Sequence, residues 1–88
     1  MYVVYDPSIE LSARSRQVVE ICQSGGCVRY QLERSYFGGE KFQIRVYDSA
    51  GNVVRGLGYK AAYAAIASGA LVRKEVPATS AYVSMWAI

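Results

Sequence analysis

The chain reads as an α+β domain: an α-β-β-β-α core in which an antiparallel sheet of three to five strands carries two helices on one face. Three observations predict this. Residues 28–33 and 41–47 alternate apolar and polar side chains, the period of a half-buried strand. Short turns, "GGE" at 38–40 and "DSAGN" at 48–52, join successive strands, so neighbours run antiparallel. The segments before and after this meander place apolar residues at helical spacing, and such stripes pack on the apolar side of a sheet.

The elements follow in order. "YVVY", Tyr2 to Tyr5, is a short strand candidate. "DPSIE" reads as a helix start, because Asp6 can cap exposed amides and Pro7 suits the first helical position. Leu11, Ser15, Val18, Ile21 and Cys22 form the stripe of that helix, with Arg14, Arg16, Gln17 and Glu20 mostly on the other side. "SGG", Ser24 to Gly26, ends it. In the first strand of the meander Val28, Tyr30 and Leu32 face the core and Arg29, Gln31 and Glu33 face out. In the second, Phe42, Ile44 and Val46 oppose Lys41, Gln43, Arg45 and Tyr47. "VVRGL" makes the third strand. The second helix, Tyr59 to Ser68, has Tyr59, Ala62, Tyr63 and Ile66 as its core stripe, and Gly69 stops it. "LVRKEV", Leu71 to Val76, is a further strand candidate. Residues 78–88 are a docking tail or a last strand. Two architectures fit: plain α-β-β-β-α, or a ferredoxin-like β-α-β-β-α-β that also uses "YVVY" and "LVRKEV".

Composition narrows the function. A chain of 88 residues makes one domain, residues 1–88, with a modest stability margin. It is 52% hydrophobic and 19% charged, a globular balance. No apolar run reaches bilayer length, and the start lacks the basic flank and apolar stretch of a secretory signal, so a cytoplasmic protein with no membrane partner is expected. The net charge of +3 permits nucleic-acid binding without demanding it, since the ten cationic residues are scattered. The chain has no histidine, which removes the commonest general base and metal ligand. Its two cysteines, Cys22 and Cys27, read as reduced thiols and cannot alone close a zinc site. With no convincing nucleophile–base pair, neither enzyme nor cofactor is expected.

One motif suggests chemistry. Gly56-x-Gly58-x-x-Ala61 follows a strand, opens a helix and precedes Glu75, a formal dinucleotide fingerprint. Its strand belongs to a hairpin, however, and only 30 residues follow Gly58, too few for that fold. The reading is geometric: Gly58 caps the helix and Gly56 permits close packing. That helix has Lys60 as its only charge, and the side bearing Ala61, Ala64, Ala65 and Ser68 has none. Either the tail or a partner is expected to cover it.

Val28 to Leu71 resembles the strand and second-helix portion of the double-stranded-RNA-binding domain. Tyr30, Phe42, Ile44, Val46, Gly56, Gly58, Ala64, Ala65, Ala70 and Leu71 carry the likeness. It implies the fold. The family's RNA contacts are not matched: its Gly-Pro-x-His loop falls on Gly38-Gly39-Glu40, and its lysine-rich helix start reduces to Lys60. In size and style the chain is also similar to small phage inhibitors such as anti-CRISPR proteins.

Two binding functions are therefore expected. The first is a stoichiometric inhibitor or adaptor that contacts a protein, or a protein–nucleic-acid complex, through the aromatics Tyr36, Phe37, Tyr82 and Trp86. The second is direct nucleic-acid binding by Arg29, Gln31, Lys41, Gln43, Arg45, Tyr47 and Arg55 on the sheet face, or by Lys60. A homodimer is compatible with both.

Overall fold

The computed structural model describes residues 3–76 and 82–88. Seven elements follow one another: α1 (Ala13–Gln23), β1 (Cys27–Arg34), β2 (Glu40–Tyr47), β3 (Val53–Val54), α2 (Tyr59–Ala67), β4 (Val72–Lys74) and β5 (Tyr82–Ala87). The strands form one antiparallel sheet in the order β3-β2-β1-β5-β4. The expected α+β class and meander are present. The end of the chain supplies β5, which pairs with the free side of β1 and carries β4 on its outer side.

The first helix starts later than its sequence suggests. Asp6 folds a local turn instead, its Oδ1 accepting from the Ser8 amide (3.0 Å) and the Ser8 hydroxyl (2.6 Å). Ser12 is the N-cap, its hydroxyl accepting from the Ser15 amide. Val3 to Tyr5 form no strand, so the ferredoxin-like alternative is not adopted; Tyr2 lies outside the described residues. Here the backbone bonds to α2 rather than to the sheet. The Val4 amide donates to Tyr63 Oη (3.3 Å) and the Asp6 amide to the Ala67 carbonyl (2.8 Å).

The register explains the core. Val28 stands opposite Val46 on one side and Trp86 on the other, giving an apolar row across three strands. Val18 and Cys22 of α1 and Ala62, Ala65 and Ile66 of α2 pack into one cluster with that row. Both helices therefore lie on the same face, as expected. Ser15 also belongs to the interior, where its hydroxyl donates to the Ala61 carbonyl (3.0 Å) and ties α1 to α2.

The uncharged side of α2 has a different cover from those expected. Ala61 and Ala65 are buried, while Tyr59, assigned to the core stripe, is exposed. Small side chains let α1 approach closely, and the segment ahead of α1 runs along the same helix. Gly56 also has another role: a Cβ there would meet no atom within 4 Å, so close packing does not require glycine. Its φ of +88° does, because that conformation turns the chain away from β3 toward α2.

Candidate functional site

The two long strands outrun the helices. Eight residues of strand extend ~27 Å at ~3.4 Å per residue, whereas helices of eleven and nine residues extend ~16 and ~14 Å. The far half of the β1–β2 hairpin therefore projects as an arm with its apolar face uncovered. Tyr30, Leu32 and Phe42 have the same facing as buried Val28 and Val46, yet Leu32 is 41% and Phe42 48% exposed. Tyr30 and Phe42 stack with ring centroids 5.0 Å apart.

The arm ends in a loop that presents two aromatics. Tyr36 and Phe37 are each 95% exposed and meet edge to face at 5.3 Å. The loop is held by its own hydrogen bonds: the Ser35 amide to the Gly39 carbonyl, the Gly38 amide to the Ser35 carbonyl, and the Phe37 amide to Ser35 Oγ. Gly38 takes a φ of +93°, which the turn requires. A cleft of about 430 Å³ lies beside these rings, lined also by Glu33, Arg34, Lys41, Gln43 and Arg45.

The opposite face of the hairpin is an ordered polar row. Arg45 grips Glu33 with Nε (3.0 Å) and Nη2 (2.9 Å), a two-point pair. Gln31 donates to the same carboxylate at 2.7 Å and accepts from Tyr47 Oη at 3.1 Å. The Arg29 guanidinium lies over the Tyr47 ring, 4.1 Å from its centroid. Hydrogen bonds from Arg45 first and Gln31 second hold the Glu33 carboxyl below its ordinary pKa.

The residues predicted for a site thus divide into groups. Arg29, Gln31, Gln43, Arg45 and Tyr47 are together on the outer face, but Gln31, Arg45 and Tyr47 direct polar groups at one another or at Glu33. Lys41 stands opposite Glu33 toward the tip. Arg55 lies beyond β3, in the loop leading to α2. Lys60 is exposed in the first turn of α2, whose N-cap Gly58 supplies no side-chain bond. Tyr36 and Phe37 are at the arm tip. Trp86, predicted as a contact aromatic, is instead 1% exposed: its place opposite Val28 puts it in the core cluster that residues of both helices share. Tyr82 opens β5, and its side chain lies outside the described residues.

Sequence reasoning missed Leu32 and Phe42 as surface residues, because strand alternation marks a face without saying how far its cover reaches. The comparison of strand and helix lengths was the available signal. Cys22 is buried and Cys27 partly so, both as free thiols. Among the described residues no three histidine, cysteine, aspartate or glutamate side chains are placed to hold a metal ion, and no helix is long and apolar enough to cross a membrane. Comparison with known proteins found no family model, no curated protein and no solved structure that matches the chain.

Proposed function

We propose that the protein is a non-catalytic, stoichiometric protein-binding module, an inhibitor or adaptor of the phage or mobile-element type, and that the β1–β2 arm is its contact surface. One observation carries this reading: Tyr36 and Phe37 stand almost fully exposed at the end of an arm whose apolar face, Leu32 and Phe42, is also open to solvent. Large rigid aromatics at the centre of a patch are what dominate protein–protein affinity. A chain that keeps such rings in water loses their burial energy, ~1.5–3 kcal/mol for a phenylalanine, unless a partner recovers it. The polar face supports the same reading. Base readout by Arg45 or Gln31 would first break bonds to Glu33, whereas a protein docking on the apolar side leaves that network intact.

The test is capture of a partner from a lysate by the tagged protein, with and without nuclease, beside Tyr36→Ala/Phe37→Ala. A stoichiometric protein retained after nuclease and lost with the double variant is expected. Retention by the double variant would remove the arm from the contact. Loss on nuclease treatment, together with salt-sensitive binding to duplex RNA or DNA, would favour a nucleic-acid module.

A further inference from the structure

The sheet leaves a strand position vacant. β3 pairs only with Val46 and Tyr47, and the chain then turns away through Arg55 and Gly56. Among the described residues the outer edge of β2 from Glu40 to Arg45 is therefore unpaired. An unpaired edge presents backbone donors and acceptors that another extended chain can satisfy. Where β3 stops, a cleft of about 460 Å³ opens between this edge and the loop that enters α2. Gln43, Ile44 and Arg45 form one wall, and Arg55, Tyr59 and Arg14 contribute the other side.

The charge of the cleft is one-sided. Three arginines line it and no aspartate or glutamate does. Glu33, on the outer face, is already held by two bonds from Arg45; it also feels the charge of Arg55. One carboxylate between the guanidiniums of Arg45 and Arg55 leaves a positive surplus, to which Arg14 on the helix side adds. The edge itself alternates. Lys41, Gln43 and Arg45 point to one face, while Phe42 and Ile44 point to the other.

We propose that this vacancy is a strand-binding slot, and that its occupant is an extended segment of a partner protein in which acidic and aliphatic residues alternate. Main-chain bonds to β2 supply the docking, the mode of β-strand addition. Directly opposed side chains in an antiparallel pair share a face, so carboxylates meet Lys41 and Arg55, beside the intact Arg45–Glu33 pair, while aliphatic groups cover Phe42 and Ile44. The six free residues of β2 accommodate ~20 Å of such a strand. This inference rests on the protein-binding reading and names the chemistry of the partner at a second place, beside the arm tip.

The experiment titrates a capped peptide of six residues alternating glutamate and valine into isotopically labelled protein and follows backbone amide signals. Saturable shifts confined to Glu40–Arg45 and residues 53–59 are expected. Lys41→Glu and Arg55→Glu should each weaken binding about threefold to fivefold, the size of a partly exposed ion pair. The same peptide N-methylated on alternate residues keeps its side chains but loses edge bonds, and should not bind. Equal binding of the methylated peptide would reduce the interaction to electrostatics and overturn the proposal. So would an absence of shifts at millimolar peptide, the same amides shifting with protein concentration alone (a second copy in the slot), or a single-stranded oligonucleotide binding there in preference. Tyr36→Ala/Phe37→Ala should bind the peptide within twofold of the parent. If that variant loses its cellular partner while the peptide fails on the parent, the slot is wrong and the arm reading stands.

Discussion

At the residue scale, the buried positions Gly26 and Cys22 each have a measurable consequence for stability. Gly26 sits where α1 hands over to β1, and its amide donates to the Ile21 carbonyl (2.9 Å). A Cβ there would collide with the Tyr47 carbonyl oxygen and would lie 2.7 Å from Ile21 Cγ2. Backbone atoms of β2 cannot yield without disturbing the sheet, so Gly26→Ala should cost about 3 kcal/mol, the upper end for overpacking. Urea unfolding measures this, and a cost below about 1 kcal/mol would contradict the geometry. Cys22 gives a pH signature. Burial, and secondarily the charge of Cys27, push its thiol up to about 11 from an ordinary 9.0. The unfolded chain ionises first, so this thiol's stabilising share is full below pH 9.0 and is lost as pH rises toward 11. Cys22→Ala should show a smaller decline in urea midpoint across that window than the parent. An identical decline would mean that the thiol is solvated in the fold.

At the scale of elements, the hairpin is two structures in one. Its near half is core, anchored by the row Val46, Val28 and Trp86; its far half is an arm stabilised by local turn bonds, the Tyr30–Phe42 stack and the Arg45–Glu33 pair. Exposed tip residues contribute little to folding. Tyr36→Ala/Phe37→Ala should therefore change the unfolding free energy by less than about 0.5 kcal/mol while abolishing partner capture. A large loss of stability would instead make the tip part of the folded core and void its use as a binding test. The two helices show how far element-level reading reaches. Val18 and Cys22 are core as their spacing predicts, yet on α2 the spacing that selected Tyr59 passed over Ala61 and Ala65. An alanine face has no hydrophobic contrast to reveal which neighbour it meets; α1 supplied that neighbour.

For the whole molecule, the end of the chain is structural. β5 lies between β1 and β4, so its removal exposes one side of β1, detaches β4 and takes Trp86 out of the core. Losing a buried tryptophan side chain alone costs ~3–5 kcal/mol, much of a small domain's stability. A chain ending at residue 81 should be unfolded by circular dichroism, and a folded product of near-native stability would show the sheet to be independent of β5. How much of this was legible follows from the range of the forces. Alternation in 28–33 and 41–47, the turn chemistry of "DSAGN" and the glycine-stopped helices are local, so the sequence by itself determined the α+β class, the meander and most element boundaries. The start of α1 escaped because Asp6 and Ser12 both qualify as caps, and only the Asp6–Ser8 turn separates them. Tertiary structure alone decided that β5 joins β1, that Trp86 is core, that α1 covers the alanines, and that the arm and the β2 edge stay open. Those outcomes depend on which distant segments meet and on where short helices sit along longer strands; element lengths hint at the second, but no local pattern encodes the first.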